Sequence, residues 1–282
     1  MAAISKTVLV TGASSGIGEA TALRLVKAGW KVVATARRPE TLAALAAAGC
    51  ATARLDLADD ASLTEAVSQI VAEHGPIGVL INNAGYSQSG VLETLPLDKV
   101  RAQFEANVFG LLRLTQLVLP AMRAQHWGKI VNVSSMGGKV QFPGGGAYHA
   151  SKHALEALSD VLRFEVAGFG IDVVVIEPGL VRTRFAETAL ATMPPPSGPY
   201  GELEAVVARL TRDAAIKGGF ARFAGSADDV ARVIERAITI AHPKPRYRVT
   251  AAAHIFVLLR QLLGDRLWDT FLRTIYPQPR SS

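Results

Sequence analysis

The sequence predicts a doubly wound α/β fold: a parallel sheet of about seven strands with helices on both faces. Three observations predict it. Short apolar runs rich in Val, Ile and Leu alternate with longer stretches of helical periodicity. The apolar runs are continuous rather than alternating, which implies burial on both faces, as in a parallel sheet covered by helices. Strictly alternating strand and helix gives right-handed crossovers, which bring every strand's carboxyl end to one edge, where ligands bind.

The elements follow in order along the chain. Residues 7–10 read as the first strand. Residues 16–28 read as a helix that stops at Gly29, a residue suited to cap its end. Strands follow at 31–35, 51–55, 79–82, 129–133 and 172–176. Helices follow at 39–48, 61–74 and 147–167, with one long helical stretch over about 97–125. After residue 183 the texture changes. Residues 184–225 hold a Met-Pro-Pro-Pro-Ser-Gly-Pro tract and a helical stretch near 201–215. They read as an excursion off the sheet, a helical lid. Ser226 N-caps a helix over 227–240, with Asp228 and Asp229 in its first turn. Pro243 and Pro245 end it, and 247–250 is a candidate seventh strand. Residues 250–282 form a helical C-terminal extension, strongly apolar over 252–275.

Bulk properties bound the function. The 282 residues, about half of them apolar, suit one domain with a substantial core. The net charge of +6 is spread along the chain with no run of five basic residues. That pattern favours a phosphate-bearing small ligand over nucleic acid. Cys50 is the single cysteine, so no intramolecular disulfide forms, and a cytoplasmic, reducing setting is expected. Neither a signal peptide nor a spanning apolar stretch is read in the sequence. No metal-ligand spacing is found.

The first strand runs into Thr11-Gly12-Ala13-Ser14-Ser15-Gly16-Ile17-Gly18. Gly12 permits a tight turn, Gly16 lets backbone approach a pyrophosphate, and Gly18 lets the helix pack closely on the sheet. The helix N-terminus offers unpaired N–H groups to the anion. A glycine triplet alone is weak; one that follows a first strand and opens a helix has the context of a Rossmann-type dinucleotide site. NAD sites place an acid at the end of the second strand, but here it reads Ala34-Thr35-Ala36-Arg37-Arg38. Two guanidinium groups and no carboxylate point to NADP(H). The alternative is that both arginines are solvated helix-start residues. Asp56 and Leu57 close the third strand, where a carboxylate can accept from an adenine amino group; the alternative is a helix cap, for which Asp59 and Asp60 compete. Asn82-Asn83-Ala84-Gly85 ends the fourth strand with small residues against which a cofactor can lie.

Tyr148 and Lys152 are four apart on a helix and so share a face. A phenol is a poor proton exchanger at neutral pH. A nearby ammonium, with a positive nicotinamide ring, favours the phenolate, so Tyr148 can pass a proton to or from a carbonyl or alcohol oxygen. Lys152 can also hydrogen-bond the nicotinamide ribose. Ser135, just past the fifth strand, can hold the substrate oxygen; Ser134 is its neighbouring competitor, and strand alternation gives the site only one of them. His149 and His153 read as surface or packing residues rather than ligands. Apolar residues of the lid, with Met136, Val140, Phe142 and Tyr86, suggest an apolar substrate. A catalytically silent NADP-binding protein is the alternative, though such a protein has no need of both Tyr148 and Lys152.

These motifs together resemble the classical short-chain dehydrogenase/reductase family over residues 6–183, in TGASSGIG, NNAG, the Ser135/Tyr148/Lys152 set and Pro178-Gly179-Leu180-Val181-Arg182-Thr183. The resemblance implies an NADP(H)-linked alcohol–carbonyl oxidoreductase. It implies a fourth catalytic member, Asn107, holding a water that connects Lys152 to solvent. It further implies that Pro178, Gly179, Val181 and Thr183 border the nicotinamide, with Thr183 on its carboxamide. It implies a homodimer or homotetramer. The C-terminal part resembles 17-beta-hydroxysteroid and retinol dehydrogenase-like members, in Asp-Asp-Val-Ala-Arg-Val-Ile at 228–234 and Pro-Arg-Tyr at 245–247. The amphipathic tail around 255–263 and 267–272 is expected to pack against the core or a second subunit, with a pocket wall or a weak peripheral membrane contact as the alternatives.

Overall fold

The computed structural model describes residues 4–217 and 219–279; Gly218 and the last three residues of the C-terminal extension lie outside that description. Seven parallel strands form one sheet in the order β3-β2-β1-β4-β5-β6-β9. They are β1 (Thr7–Val10), β2 (Lys31–Ala36), β3 (Ala51–Arg54), β4 (Ile77–Asn82), β5 (Gly128–Val133), β6 (Ile171–Pro178) and β9 (Arg246–Val249). The order reverses between β1 and β4, so the chain winds outward in both directions from the centre. The central strands are buried along their whole length, as their unbroken apolar runs require.

Helices cover both faces. On one face α1 (Gly16–Lys27) and α9 (Ala227–Thr239) pack beside each other, with Leu25, Val230 and Ile234 against the sheet. The other face carries α3 (Asp60–His74), α5 (Gly110–Ala124) and α6 (Gly146–Val166), which press Ile70, Leu114 and Val166 onto it. Asp59 caps α3 by accepting from Ser62 N at 3.2 Å. Ser226 and Asp229 form a reciprocal capping box on α9. The stretch expected as helix over 39–48 is a 3-10 turn followed by the short α2 (Ala43–Ala47).

Two departures matter for the site. The long stretch over 97–125 is not one regular helix. It runs as α4 (Leu97–Phe104), a π turn over Glu105–Phe109, and α5. The π turn admits an extra residue, a distortion common at functional positions. Leaving the sheet after β6, the chain adds β7 (Val181–Arg182), α7 (Phe185–Ala191) and α8 (Gly201–Asp213). It then returns through β8 (Gly225–Ser226), which pairs in parallel with β7. Neither α7 nor this two-residue ladder was expected from the sequence. The last helix, α10 (Ala251–Arg273), is broken at Gly264, with φ 60° and ψ −174°. It carries its own apolar cluster of Val140, Phe256, Val257 and Trp268.

The α6–β6–β9 corner is locked by buried charge. Glu156 on α6 meets Lys139 at 3.1 Å and Arg246 at 2.9 Å, and Arg248 meets Glu177 at 3.0 Å. Burial and the neighbouring Glu156 push the Glu177 carboxyl above its usual range.

Close approach also fixes α5. A Cβ at Gly110 would fall 1.9 Å from the Leu57 carbonyl oxygen. Gly110→Ala should therefore force α5 off the end of β3 and destabilise the protein by about 1–3 kcal/mol. Chemical denaturation checks this; an unchanged midpoint would mean that the helix shifts freely.

Candidate functional site

The carboxyl ends of β1, β2, β4, β5 and β6 open onto a cavity of about 870 Å³. Its floor on one side is the glycine turn. Gly12 and Gly16 adopt φ of 64° and 62°, backbone that costs glycine nothing. A Cβ at Gly12 would lie 2.7 Å from the Ala84 Cα, and one at Gly18 would lie 2.4 Å from the Gly12 carbonyl oxygen. The turn is thus drawn tightly against β4. Asn83 fastens it, donating from Nδ2 to the carbonyls of Thr11 and Gly12 at 2.9 and 3.2 Å. Ser14, Ser15, Gly16 and Ile17 line the cavity, while Gly18 lies behind it as helix packing.

The structure separates the two arginines. Arg37 reaches the cavity wall, and Arg38, also exposed, does not. Asp56 and Leu57 line the same end. Because Asp59 is the cap of α3, Asp56 is not needed for that purpose; its Oδ1 accepts from Ala58 N at 3.1 Å. Ala84 and Gly85 line the middle of the cavity, and Pro178, Gly179, Val181 and Thr183 its far side. Gly179 is required there, since a Cβ would meet the Thr250 hydroxyl at 2.5 Å. Thr250 itself holds φ 86°, a strained backbone for a β-branched residue.

Tyr148, Ser135 and Lys152 converge at the centre. The Tyr148 ring packs against Phe185 at 5.6 Å between centroids. Ser135 N-caps the 3-10 turn at Met136–Gly138, accepting from Gly137 N at 3.0 Å, and lines the cavity with Tyr148. Ser134 borders the cavity as well, contrary to the expectation that only one of the two serines does, but its hydroxyl is buried, in the space that a Cβ at Gly138 would enter at 2.8 Å. Lys152 is 5% exposed, donates to the Val133 carbonyl at 2.8 Å, and sits 5.9 Å from the centre of the Tyr148 ring.

Asn107 lies in the π turn, one layer behind the wall. Its Nδ2 donates to the Tyr86 carbonyl at 3.0 Å and to the Ser151 hydroxyl at 3.1 Å, and its Oδ1 accepts from Tyr86 N at 3.2 Å. A Cβ at Gly85 would come 3.0 Å from Asn107 Oδ1 and 3.7 Å from Lys152 Nζ. Glycine there leaves the two side chains facing one another across a narrow gap.

The protein's own groups do not make the phenol acidic. Burial pushes Tyr148 up to about 12, against a downward pull from the Ser135 hydrogen bond. Burial lowers Lys152 to about 8, and Glu156, one helical turn further on, opposes it. The lowering expected of Lys152 is not among the pulls on the phenol, where burial dominates.

Beyond Tyr148 the cavity is apolar. Met136, Phe142, Phe185, Leu210 and Phe220 line it, and so does Tyr86; Val140 instead packs behind Phe256. Phe256 lines the cavity too, the pocket-wall reading of the tail over 255–263, and Ile275 and Tyr276, which sequence reasoning missed, line it as well. Their helical periodicity carried no sign of which body they would meet. It also missed that His149 lines the cavity.

The residues present fit a nicotinamide dinucleotide: a glycine cradle that any Cβ would fill, continuous with a wall bearing Tyr148 and Lys152. Among the described residues, no group of three or more His, Cys, Asp or Glu is placed to hold a metal ion, and no helix is long and apolar enough to cross a membrane.

Comparison with known proteins agrees with this arrangement. The oxidoreductase YbbO of Escherichia coli, itself uncharacterized, is 36% identical over 273 residues, covering 96% of this chain and 95% of YbbO. A short-chain dehydrogenase structure from Streptomyces avermitilis superposes with a TM-score of 0.80 at 34% identity, covering 97% of this chain and 99% of that one. A serine dehydrogenase complexed with NADP+ superposes at 0.75, with 29% identity and coverage of 86% and 94%. A Burkholderia phymatum short chain dehydrogenase/reductase in complex with NAD superposes at 0.78, with 25% identity and coverage of 99% and 98%. The pattern of the short chain dehydrogenase family matches residues 6–194. With that match spanning the phosphate turn, the Tyr148/Lys152 helix and the sheet edge between them, the chain belongs to the short chain dehydrogenase family and is an oxidoreductase of that type.

Proposed function

We propose that this oxidoreductase uses NADP(H) to interconvert an alcohol and a ketone or aldehyde on an apolar substrate, with Tyr148 as the proton-transferring group. The observation that carries the reading is the convergence of Tyr148, Ser135 and Lys152 at the junction of the glycine cradle and the apolar pocket. When bound, the dinucleotide supplies or accepts the hydride, and its oxidised ring adds positive charge. Ser135 holds the reacting oxygen, Tyr148 protonates it or takes its proton, and Lys152 keeps positive charge beneath the phenol. Asn107, facing Lys152 across Gly85, completes the set as the anchor of a water leading to solvent. A phenol raised by burial is protonated at neutral pH, ready to donate to a carbonyl, and the positive oxidised ring favours release of its proton in the reverse direction.

Relatives of this fold hold either NAD or NADP+, so the choice falls to this chain's own residues. Arg37 on the wall, with no carboxylate at the end of β2, supports NADP(H) through the 2′-phosphate. Arg38 contributes at most long-range charge. Residues 184–225 act as the lid over an apolar substrate of the steroid, retinoid or similar hydrophobic class. A homodimer or homotetramer in the cytoplasm accords with the family reading. A silent NADP-binding sensor is the alternative, and the complete Ser135/Tyr148/Lys152 geometry weighs against it.

Three outcomes are expected. Tyr148→Phe should keep NADPH affinity, measured by fluorescence, and lose about 10²–10⁴-fold in turnover; undiminished turnover would remove Tyr148 from the chemistry. Arg37→Ala should raise KM for NADPH by roughly thirtyfold, the worth of about 2 kcal/mol of charge-assisted bonding, and leave NADH little changed. Equal effects on both cofactors would reverse the assignment. Lys152 is protonated below about 8 and neutral above it. The kcat/KM for reduction should accordingly fall as pH rises through that value, and a rate that stays level into strongly alkaline buffer would take Lys152 out of the proton path.

A further inference from the structure

Two features of the cavity play no part in the chemistry above: His149 and the glycine run at 144–146. His149 follows Tyr148 on α6, is 9% exposed, and lines the cavity. Its ring packs 5.7 Å from that of Tyr148 and 5.9 Å from that of Phe142. Nδ1 lies 3.2 Å from the Gly137 carbonyl oxygen. A carbonyl only accepts, so Nδ1 carries the hydrogen and Nε2 keeps its lone pair. Burial, with His153 nearby, pushes the imidazole down to about 4, so Nε2 stays an acceptor at neutral pH.

Both ring nitrogens are flanked by glycine. A Cβ at Gly137 would come 2.6 Å from Nδ1, and one at Gly145 would come 2.6 Å from Nε2. Gly145 also lines the cavity. The bare backbone leaves Nε2 open where a side chain would cover it. Among the described residues no protein donor reaches Nε2, whereas His153 is engaged at both nitrogens, by the His149 carbonyl and by Gln141. Nε2 keeps surface open to the cavity rather than being sealed in the core, so a ligand hydroxyl can reach it.

The geometry points to His149 Nε2 as a specificity-determining acceptor for a hydroxyl on the substrate, close to the carbon that reacts at Tyr148. The class this selects is an apolar ketone or aldehyde with a hydroxyl on the α or β carbon. A substrate offering only acceptors leaves Nε2 unsatisfied, and one offering a carboxylate there meets a lone pair. The inference deepens the proposed function and rests on Tyr148 marking the reacting carbon.

The test is calorimetric binding to the protein saturated with NADP+, which offers no hydride to a ketone, with absorbance checking that the hydroxylated ligands form no NADPH during the titration. Three ligands are compared: a medium-chain alkyl methyl ketone and its congeners hydroxylated at the α or the β carbon. One congener should bind about tenfold tighter than the plain ketone, the worth of one net hydrogen bond. His149→Leu should erase that preference and leave the plain ketone within about twofold. Should that variant fail to fold, Gly145→Ala, which sets a Cβ against Nε2 at ordinary negative φ, should erase it likewise. Equal binding of all three, no binding by any, or a preference that survives both substitutions overturns the assignment. A binding preference that is present without turnover of any of the three under NADPH counts against the Tyr148 reading alone.

Discussion

Burial of the sheet on both faces is the constraint from which the site follows. A strand covered on both sides can be joined to a parallel neighbour only by a crossover over one face, and crossovers of a single hand bring all carboxyl ends to the same edge. Here that edge collects the glycine turn after β1, Arg37 after β2, the Ala84–Gly85 corner after β4, Ser135 after β5 and Gly179 after β6. No one loop builds the cavity. Because every contributor hangs from a buried strand end, its position is as rigid as the core beneath it. The charged corner of Glu156, Glu177, Arg246 and Arg248 extends the same rigidity to α6, which carries Tyr148 and Lys152.

Electrostatics at the centre show the cost of that burial. Lys152 has one strong protein acceptor, the Val133 carbonyl, and loses much of its preference for the charged state. Tyr148 loses nearly all of its acidity. Ser135 opposes the upward shift at the phenol, and Glu156, a turn beyond the ammonium, opposes the downward shift there. Positive charge near a buried phenol is what would lower it again.

How much of this was legible in the sequence depended on whether a residue's role is local. The strands and their order of appearance were readable because unbroken apolar runs have one physical meaning. The glycines at 12, 16 and 18 were readable because close packing leaves no room for a Cβ at Gly12 and Gly18, and a positive φ favours glycine at Gly16. Ser135 could be chosen over Ser134 only by alternation, and the buried Ser134 hydroxyl agrees. The π turn at Asn107 was hidden, since one inserted residue hardly disturbs apolar periodicity over a stretch of that length. Arg38 was indistinguishable from Arg37 until the backbone aimed one of them inward. Phe256 was legible only as one of several fates for an apolar tail, and Tyr276 not at all: their partners lie far along the chain, and a helix's apolar face does not name the surface it meets.

The position of β9 has a consequence for how the molecule assembles. It pairs with β6, yet the whole of 179–245 intervenes, and the walls made by Phe256 and Tyr276 come later still. Closing so long a loop carries an entropic toll that nearest-neighbour crossovers such as β1 to β2 escape. A nascent chain emerging amino end first meets its dinucleotide cradle early and its substrate chamber last. Until β9 arrives, β6 presents an unpaired edge, and Glu177 waits beside it without Arg246 or Arg248. Chaperone dependence, where it exists, should therefore track the final third of the polypeptide.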